Sequence, residues 1–214
     1  MITVYTRFYT PLPGEKIPAL EHRIGRELLA TGLKELYGIH VDKPDETSTP
    51  PAALPDTRIA VGSHQKPYLP AYPDIHFNIS HCRGLVACAF APFPVGIDVE
   101  HIRPFRDHLL SRVLTPEEQT QLETLGTTEE KRQEWFFRFW TLKESRIKQS
   151  GTGMSVRLSS FSFRISPEGT VTGSDEDLSF WQQLLRDRYI LSACIPKCQG
   201  GSSEHFLQII DSCK

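Results

Sequence analysis

The spacing of apolar residues divides the first hundred positions into one helix and several short strands. Residues 1–9, rich in apolar and aromatic side chains, predict an opening strand. Between Ile17 and Tyr37 apolar residues recur every three or four positions, as on one face of an amphipathic helix, and Gly38 follows as a stop signal. A proline-rich loop is expected over residues 43–55, and the strands predicted after it are Arg58–Val61, Ile75–Ser80, Leu85–Phe90 and Val95–Glu100.

After residue 103 the same order returns, helices first and strands afterwards. Thr115-Pro116 has the hydroxyl cap and the first-turn proline typical of a helix start. A long aromatic helix is predicted from Thr128 to Gln149, and the strands predicted after it are Ser159–Ile165, Tyr189–Ile195 and His205–Ile210. The pattern therefore predicts an α+β fold of two pseudo-symmetric halves, residues 1–103 and 104–214, each with a helix packed on a small antiparallel sheet.

Composition and charge narrow the class of protein. The 214 residues include 24 Lys and Arg against 26 Asp and Glu, and the net charge of −2 argues against a general nucleic-acid binder. No stretch approaches the roughly 18–20 apolar residues of a membrane span, and the N-terminal residues lack a secretory signal pattern. We therefore expect a soluble, cytoplasmic protein. Its five cysteines are interpreted as ordinary thiols; a zinc site built on Cys194, Cys198 and His205 is the weaker interpretation.

Two carboxylates alternate along the predicted strand that ends at Glu100. Asp98 and Glu100 point to one face of that strand, and the neighbouring apolar side chains point to the other. Adjacent carboxylates repel each other unless a cation lies between them, and a hard divalent ion with oxygen ligands suits that position. The alternative is an edge strand with two solvated acids, because Asp-x-Glu is a common pattern.

The aromatic helix carries a charged pair on one of its faces. Glu144 and Lys148 are four residues apart and share a face with Trp140. A glutamate among aromatic side chains is costly to bury unless it has a metal, a cationic partner or a role as a base. The alternative is a surface ion pair between Glu144 and Lys148.

A third group of polar residues precedes these two. Ser80-His81 stands at the end of a predicted strand, and Lys66-Pro67 lies upstream of it. A hydroxyl, an imidazole and an ammonium group all suit a phosphate. The alternative for His81 is a structural role, and Ser80 lacks the nucleophile elbow of a hydrolase.

In this order and at this spacing, the segments resemble the 4′-phosphopantetheinyl transferases, and more closely the longer, surfactin-synthetase-activating type. The segments that carry the resemblance are Gly62-x-x-x-Lys66-Pro67, Phe77-Asn78-Ile79-Ser80-His81, Gly96-Ile97-Asp98-Val99-Glu100 and Phe139-Trp140-Thr141-Leu142-Lys143-Glu144-Ser145-x-x-Lys148-x-x-Gly151-x-Gly153. The length of 214 residues disfavours the short, trimeric type. Two small departures, Ser145 where alanine is usual and Ser150 ahead of Gly151, do not touch a presumed ligand.

The resemblance implies an enzyme that moves the phosphopantetheine arm of coenzyme A to a serine of an apo carrier protein, in a cleft between the halves, releasing adenosine 3′,5′-bisphosphate. It implies Mg²⁺, with Mn²⁺ as an alternative ion, held by Asp98, Glu100 and Glu144. Glu144 would also act as the base, and Lys148 would contact the phosphate that carries the arm. His81 would contact the 3′-phosphate, and the other positions expected to bind coenzyme A are Arg23, Lys66, Pro67, Ser80, Lys143 and Lys148.

The implied protein partner is the apo acyl or peptidyl carrier protein, and the chain is expected to act as a monomer. Residues 131–148 hold six basic side chains against two acidic ones, which predicts a basic face for an acidic partner. The alternative is that these charges are solvated or contact coenzyme A. Two other function classes stay open: a metal-dependent nucleotide phosphohydrolase, and a non-catalytic module that binds coenzyme A or a carrier protein.

Overall fold

The computed structural model describes residues 1–40, 59–62, 66–166, 168–197 and 207–212. Its strands are β1 (Ile2–Phe8), β2 (Ala60–Val61), β3 (Pro67–Tyr68), β4 (His76–Cys82), β5 (Leu85–Ala91), β6 (Gly96–His101), β7 (Phe163–Ile165), β8 (Val171–Gly173), β9 (Leu178–Leu185), β10 (Tyr189–Pro196) and β11 (Leu207–Asp211). Its helices are α1 (Ile17–Tyr37), α2 (Leu110–Val113), α3 (Pro116–Leu125) and α4 (Glu129–Ser150). The predicted loop over 43–55, Arg58 and the candidate zinc ligands Cys198 and His205 lie outside these ranges.

Both long helices end at a left-handed glycine, and α4 also begins at a side-chain cap. Helix α1 ends at Gly38, whose backbone is left-handed with φ of 68° and whose N–H donates to the last turn. Helix α4 is capped by the side chain of Thr128 and ends at Gly151, also left-handed with φ of 66°. At the start of α3, Thr115 and Glu118 form a reciprocal capping box. The predictions for all three helices are confirmed.

Two sheets form the centre of the molecule. The first has the strand order β11-β1-β5-β4, in which β1 and β11 are parallel and the other pairs antiparallel. The second is antiparallel, with the order β6-β10-β9. Short pairs β2-β3 and β7-β8 lie beside them. Helices and mostly antiparallel sheets in one chain confirm the α+β class.

The apolar residues pack in three layers between these elements. One cluster fills the space between the two sheets, with side chains from β1, β5, β6 and β10. A second packs α1 against the other face of β1 and β5. A third packs the aromatic residues of α4 against β9, β10 and the β7 region. Each long helix therefore covers the outer face of one sheet.

The sheets exchange strands across residue 103. Strand β6 precedes that position but pairs with β10 of the second sheet. Strand β11 comes from the end of the chain but pairs with β1 of the first sheet. The division into halves at residue 103 stays a prediction, and the hydrogen bonding of the sheets runs across it.

Several strands differ from the sequence-based expectations. Strands β3, β8 and β9 were not predicted. The predicted strand Ser159–Ile165 begins only at Phe163, because Leu158–Ser160 form a 3₁₀ turn. Strand β6 begins at Gly96, one residue later than predicted. Among the helices that the structure describes, none combines the length and the apolar character that a membrane crossing needs.

Candidate functional site

Strand β6 presents an apolar face to the core and an acidic face to helix α4. Val95, Ile97 and Val99 are at most 1% exposed and belong to the cluster between the sheets. Asp98 alternates with them and is buried on the opposite face, at 5% exposure. Glu100, at the end of the strand, is partly buried. The predicted separation of the two faces is confirmed.

Helix α4 approaches β6 closely because the strand begins with a glycine. A Cβ atom at Gly96 would lie 2.1 Å from the carbonyl oxygen of Ser145 and 2.2 Å from the backbone nitrogen of Gln149. Only a residue without a side chain fits there. The hydroxyl of Ser145 donates to the carbonyl of Leu142 at 2.8 Å, so this departure from the family pattern is satisfied within the helix.

Lys148 of α4 reaches across to Asp98 of β6. Its Nζ lies 2.6 Å from Asp98 Oδ1 and 2.9 Å from Ser80 Oγ. Ser80 Oγ also donates to Asp98 Oδ1 at 2.9 Å and accepts the N–H of Val99 at 3.2 Å. Ser80 is itself buried on β4, so its hydroxyl holds Asp98 in one orientation.

The second oxygen of Asp98 is buried and has no hydrogen-bond partner among the residues that the structure describes. A buried carboxylate oxygen without a partner carries a desolvation cost of about 1–3 kcal/mol or more. A buried polar atom without a protein partner is commonly satisfied by a water molecule or an ion.

Glu100 and Glu144 share the acidic region with Asp98. Burial raises the pKa of Glu144, and the charge of Asp98 raises it further, while Lys148 opposes the shift. Burial also raises the pKa of Glu100, opposed by the guanidinium of Arg103, whose Nη1 lies 2.6 Å from Glu100 Oε2. Three carboxylates and two cations therefore meet where β6 faces α4.

These carboxylates fit a hard divalent cation as part of its coordination shell. In the described part of the chain, no three or more His, Cys, Asp or Glu side chains are grouped so that they could hold a metal ion by themselves. Mg²⁺ is usually held by one or two carboxylates together with substrate phosphates and waters, so a group of three protein ligands is not required. The unpartnered Oδ2 of Asp98 is an oxygen donor of the right kind.

His81 faces a large cleft on the other side of Ser80. The strand alternation that buries Ser80 turns His81 outward into a cleft of about 880 Å³. Glu100 and Arg103 line the same cleft, as do Tyr9 and Glu21. Glu21 was not predicted, although an acid between the apolar positions of α1 is a signal that the sequence carries.

Lys66 and Pro67 line a different cleft, of about 390 Å³, at the C-terminal end of α4. Lys66 Nζ donates to the carbonyls of Gln149, at 2.7 Å, and Val95, at 3.3 Å. Burial lowers the pKa of Lys66 to about 8. The structure thus places Lys66 and His81 in separate clefts.

Lys143 and Arg23 line neither cleft, and the charged groups of both have acidic partners in the protein. Lys143 is 0% exposed, and its Nζ contacts Glu118 Oε2 at 2.9 Å and donates to the carbonyls of Leu158 and Phe161. The predicted contact with coenzyme A is not available to an ammonium in this position. Arg23 is exposed on α1 and pairs with Glu15 and Glu27.

The basic residues of α4 are compensated in space. The sequence shows a positive excess over 131–148, but acids from the same helix and from other elements pair with every one of them. The pairs are Lys131–Glu134, Arg132–Asp107, Arg138–Glu134, Lys143–Glu118, Arg146–Asp175 and Lys148–Asp98. The structure does not present the predicted basic face as a set of uncompensated charges.

Comparison with known proteins identifies the region that holds the acidic site. Residues 94–194 match the family model of the 4′-phosphopantetheinyl transferase superfamily. This matched segment, the superfamily region, is a little under half of the chain. Asp98, Glu100, Glu144 and Lys148 all lie within the superfamily region, whereas His81 lies outside it.

Curated relatives agree with the superfamily match. The chain is 35% identical to a 4′-phosphopantetheinyl transferase of Bacillus subtilis over 149 residues, which cover 70% of this chain and 60% of the relative. It is 38% identical to 4′-phosphopantetheinyl transferase Sfp of Bacillus subtilis strain 168 over 117 residues, 55% of this chain and 51% of Sfp. The matches thus span between about half and three-fifths of these relatives.

A solved structure with a weaker likeness is a holo-(acyl-carrier-protein) synthase from Bacillus anthracis in complex with CoA (3′,5′-ADP). It is 18% identical to this chain, with a TM-score of 0.43, and the match covers 49% of this chain and 95% of that one.

Proposed function

We propose that the protein transfers the 4′-phosphopantetheine arm of coenzyme A to a serine of an apo acyl or peptidyl carrier protein. The observation that carries this proposal is the buried, unpartnered Oδ2 of Asp98, beside Glu100, Glu144 and Lys148 within the superfamily region. A buried acidic cluster with a free oxygen suits a bound cation, and a cation between carboxylates suits a diphosphate substrate.

Asp98, Glu100 and Glu144 would hold Mg²⁺, with Mn²⁺ as an alternative ion. When bound, the ion supplies charge neutralisation for the diphosphate of coenzyme A and for the leaving phosphate. Ser80 and Lys148 both contact Oδ1 of Asp98, which leaves Oδ2 for this purpose. Ser80 therefore acts in the site through Asp98.

Glu144 would accept the proton of the carrier serine, directly or through a water molecule. Its raised pKa brings the carboxylate closer to the basicity that proton transfer needs near neutral pH. Lys148, one turn further along α4, would contact the phosphate that carries the arm and offset the charge that develops there.

The adenosine end of coenzyme A would be bound beside this centre. His81 would contact the 3′-phosphate, which is carried by the adenosine ribose, from the larger cleft. Lys66 and Pro67 line the separate, smaller cleft, so their position does not support the predicted contact with the same adenosine end. Arg23 would reach a phosphate only after leaving its partners Glu15 and Glu27. The monomeric state and the cytoplasmic location stay predictions, which sedimentation and cell fractionation test.

The direct test is mass spectrometry of apo carrier proteins after incubation with the protein, coenzyme A and Mg²⁺. We expect a carrier to gain the mass of one phosphopantetheine, and a matched carrier with its acceptor serine replaced by alanine to gain none. Absence of transfer to a panel of fatty-acid, polyketide and peptide carriers would contradict the proposal. Cleavage of coenzyme A without an acceptor would identify a phosphohydrolase, and binding without turnover a non-catalytic module.

A further inference from the structure

We infer that Glu21 is a positioning residue, which holds the imidazole of His81 so that its Nε2 is presented to the ligand cleft. The inference rests on the proposed function in one respect, namely that His81 contacts a phosphate group of coenzyme A. Glu21 touches no ligand itself and acts through His81.

Glu21 is a buried acid on the apolar face of helix α1. It is 6% exposed and lies beside Leu20 and Ile24, which belong to the core of the first sheet. A carboxylate in such surroundings is stable only with hydrogen-bond partners. Its position is therefore set by the groups that donate to it.

Both partners of Glu21 line the cleft of about 880 Å³. The hydroxyl of Tyr9 donates to Glu21 Oε1 at 2.5 Å, and His81 Nδ1 lies 3.0 Å from Glu21 Oε2. Burial, together with the bond to Glu21, raises the pKa of Tyr9 to about 12, so the hydroxyl stays a donor. With both carboxylate oxygens engaged, the carboxylate of α1 is held between Tyr9, just after β1, and His81 of β4.

The contact with Glu21 determines which nitrogen of His81 is left for a ligand. A carboxylate accepts hydrogen bonds and cannot donate them, so Nδ1 must carry a proton. Within the described residues Nε2 has no protein partner, and the His81 side chain is 51% exposed to the cleft. To bind an anion, Nε2 must itself donate an N–H, which requires the doubly protonated ring. A ring already held at Nδ1 loses less freedom when Nε2 donates to the anion, so part of the entropic cost of binding is met in advance.

The first experiment measures transfer kinetics for Glu21→Ala and Glu21→Gln. We expect Glu21→Ala to raise KM for coenzyme A about tenfold, because the imidazole of His81 is no longer held for its hydrogen bond to the ligand. The value of kcat should change less than about twofold. Glu21→Gln, which keeps a carbonyl acceptor for Nδ1–H, should restore KM to within about threefold of wild type. The matched control is Glu35→Ala, which removes an acid of the same helix that also accepts a tyrosine hydroxyl, from Tyr5 at 2.9 Å.

A double-mutant cycle separates positioning from a general structural effect. If Glu21 acts through His81, Glu21→Ala should change KM by less than about twofold once His81→Ala is present. Additive effects in the double variant, or an unchanged KM in Glu21→Ala, would overturn the inference.

A measurement that needs no ligand keeps the inference separate from the proposed function. In ¹⁵N spectra of neutral imidazoles, we expect His81 of the wild type to be the Nδ1–H tautomer and to lose that preference in Glu21→Ala. An Nε2–H tautomer in the wild type would overturn the inference, whatever the protein catalyses. A wild type with the Nδ1–H tautomer but no transfer would contradict the proposed function alone.

Discussion

At the scale of single residues, the site depends on the different surroundings of the two oxygens of one carboxylate. Oδ1 of Asp98 takes Lys148 and Ser80, while Oδ2 has no partner in the described part of the protein. The division follows from Ser80, whose hydroxyl also receives the N–H of Val99 from the same strand. Ser80 therefore links the backbone of β6 to the orientation of its carboxylate.

Replacing Ser80 by alanine tests this link. We expect Ser80→Ala to lower the free energy of unfolding by about 1–3 kcal/mol, because the buried N–H of Val99 loses its partner. The transfer rate should fall as Asp98 gains freedom to rotate. Denaturant unfolding and initial rates measure both effects, with Ser160→Ala, an exposed hydroxyl on a local carbonyl, as the control. Wild-type stability and rate in Ser80→Ala would contradict the role of Ser80.

Lys66 gives a prediction about pH. Burial lowers its pKa from 10.5 to about 8, so the unfolded chain binds this proton more tightly than the folded one. Between pH 8 and pH 10.5 the unfolded state carries more protons at this position, and stability from this residue therefore rises with pH. Below that window the cost of the buried ammonium is fully present.

We expect the wild type to become more stable relative to Lys66→Met, in unfolding free energy, as the pH rises from about 8 to 10. Denaturant unfolding at several pH values measures it. Lys34→Met, at an exposed position of α1, is the matched control and should show no such trend. A difference that is constant with pH would show that the pKa of Lys66 is not lowered.

Sequence patterns predicted some residues of the site and misplaced others, for a physical reason. The alternation of β6 put Asp98 and Glu100 on one face, because strand geometry is local. Lys143 stands next to Glu144 in the chain, but its position depends on Glu118, which is 25 residues earlier and buried beside it. Glu21 depends likewise on Tyr9 and His81. Partners that fold together from distant positions leave no periodic signal.

At the scale of elements, the contact between β6 and α4 sets the distance between the carboxylates. Gly96 lets the helix backbone approach the strand, and Ser145 is the small residue that faces it. The helix then brings Glu144 and Lys148 over Asp98. A side chain at Gly96 would separate the two elements.

We expect Gly96→Ala to destabilise the fold by about 1–3 kcal/mol, as overpacking of a core contact does, and to abolish most activity. The matched control is Gly62→Ala, whose added Cβ meets its nearest neighbour only at 3.5 Å. Thermal unfolding and transfer rates compare the two variants. Equal behaviour of both would contradict the close packing of α4 on β6.

The buried pair of Lys143 and Glu118 joins α4 to α3 and β7. Glu118 Oε1 accepts the N–H of Phe163, and its Oε2 contacts Lys143. We expect Lys143→Met to lower the free energy of unfolding by about 3–5 kcal/mol, because it leaves the acid buried without its cation. The double variant with Glu118→Gln should recover part of this loss, with KM for coenzyme A unchanged in whichever variant folds. If Lys143→Met were as stable as the wild type and had a raised KM for coenzyme A, Lys143 would be a ligand-binding residue instead.

Element prediction succeeded where the signals were local and failed where they were not. Helices α1 and α4 have caps and regular apolar spacing, and both lie where predicted. Strand β9, with the sequence LSFWQQLL, has no clean alternation, and all but one of its residues are of intermediate exposure. It is a strand because β10 offers it a complete antiparallel ladder. That partner is not visible in the pattern of β9 alone.

At the scale of the whole molecule, the site lies where the two sheets meet. Strand β4 belongs to the first sheet and β6 to the second, yet side chains of β4 bond the backbone of β6. Asn78 Oδ1 accepts the N–H of Ile97 at 2.8 Å, and Ser80 Oγ accepts that of Val99. The acidic cluster thus lies at the junction of the two sheets, where side chains of β4 accept hydrogen bonds from the backbone of β6.

The central claim is that Asp98 and its neighbours form a metal-assisted transfer site. The most direct measurement is the initial rate at which a responsive apo carrier gains the mass of phosphopantetheine. It is made over a range of Mg²⁺ concentrations for the wild type and for Asp98→Ala. The control is Asp177→Ala, which removes an exposed acid. The account predicts that the transfer rate of the wild type and of the control rises with Mg²⁺ and saturates. In Asp98→Ala the transfer rate should fall by at least about a hundredfold while the fold is retained. Full, Mg²⁺-dependent transfer by Asp98→Ala would contradict it.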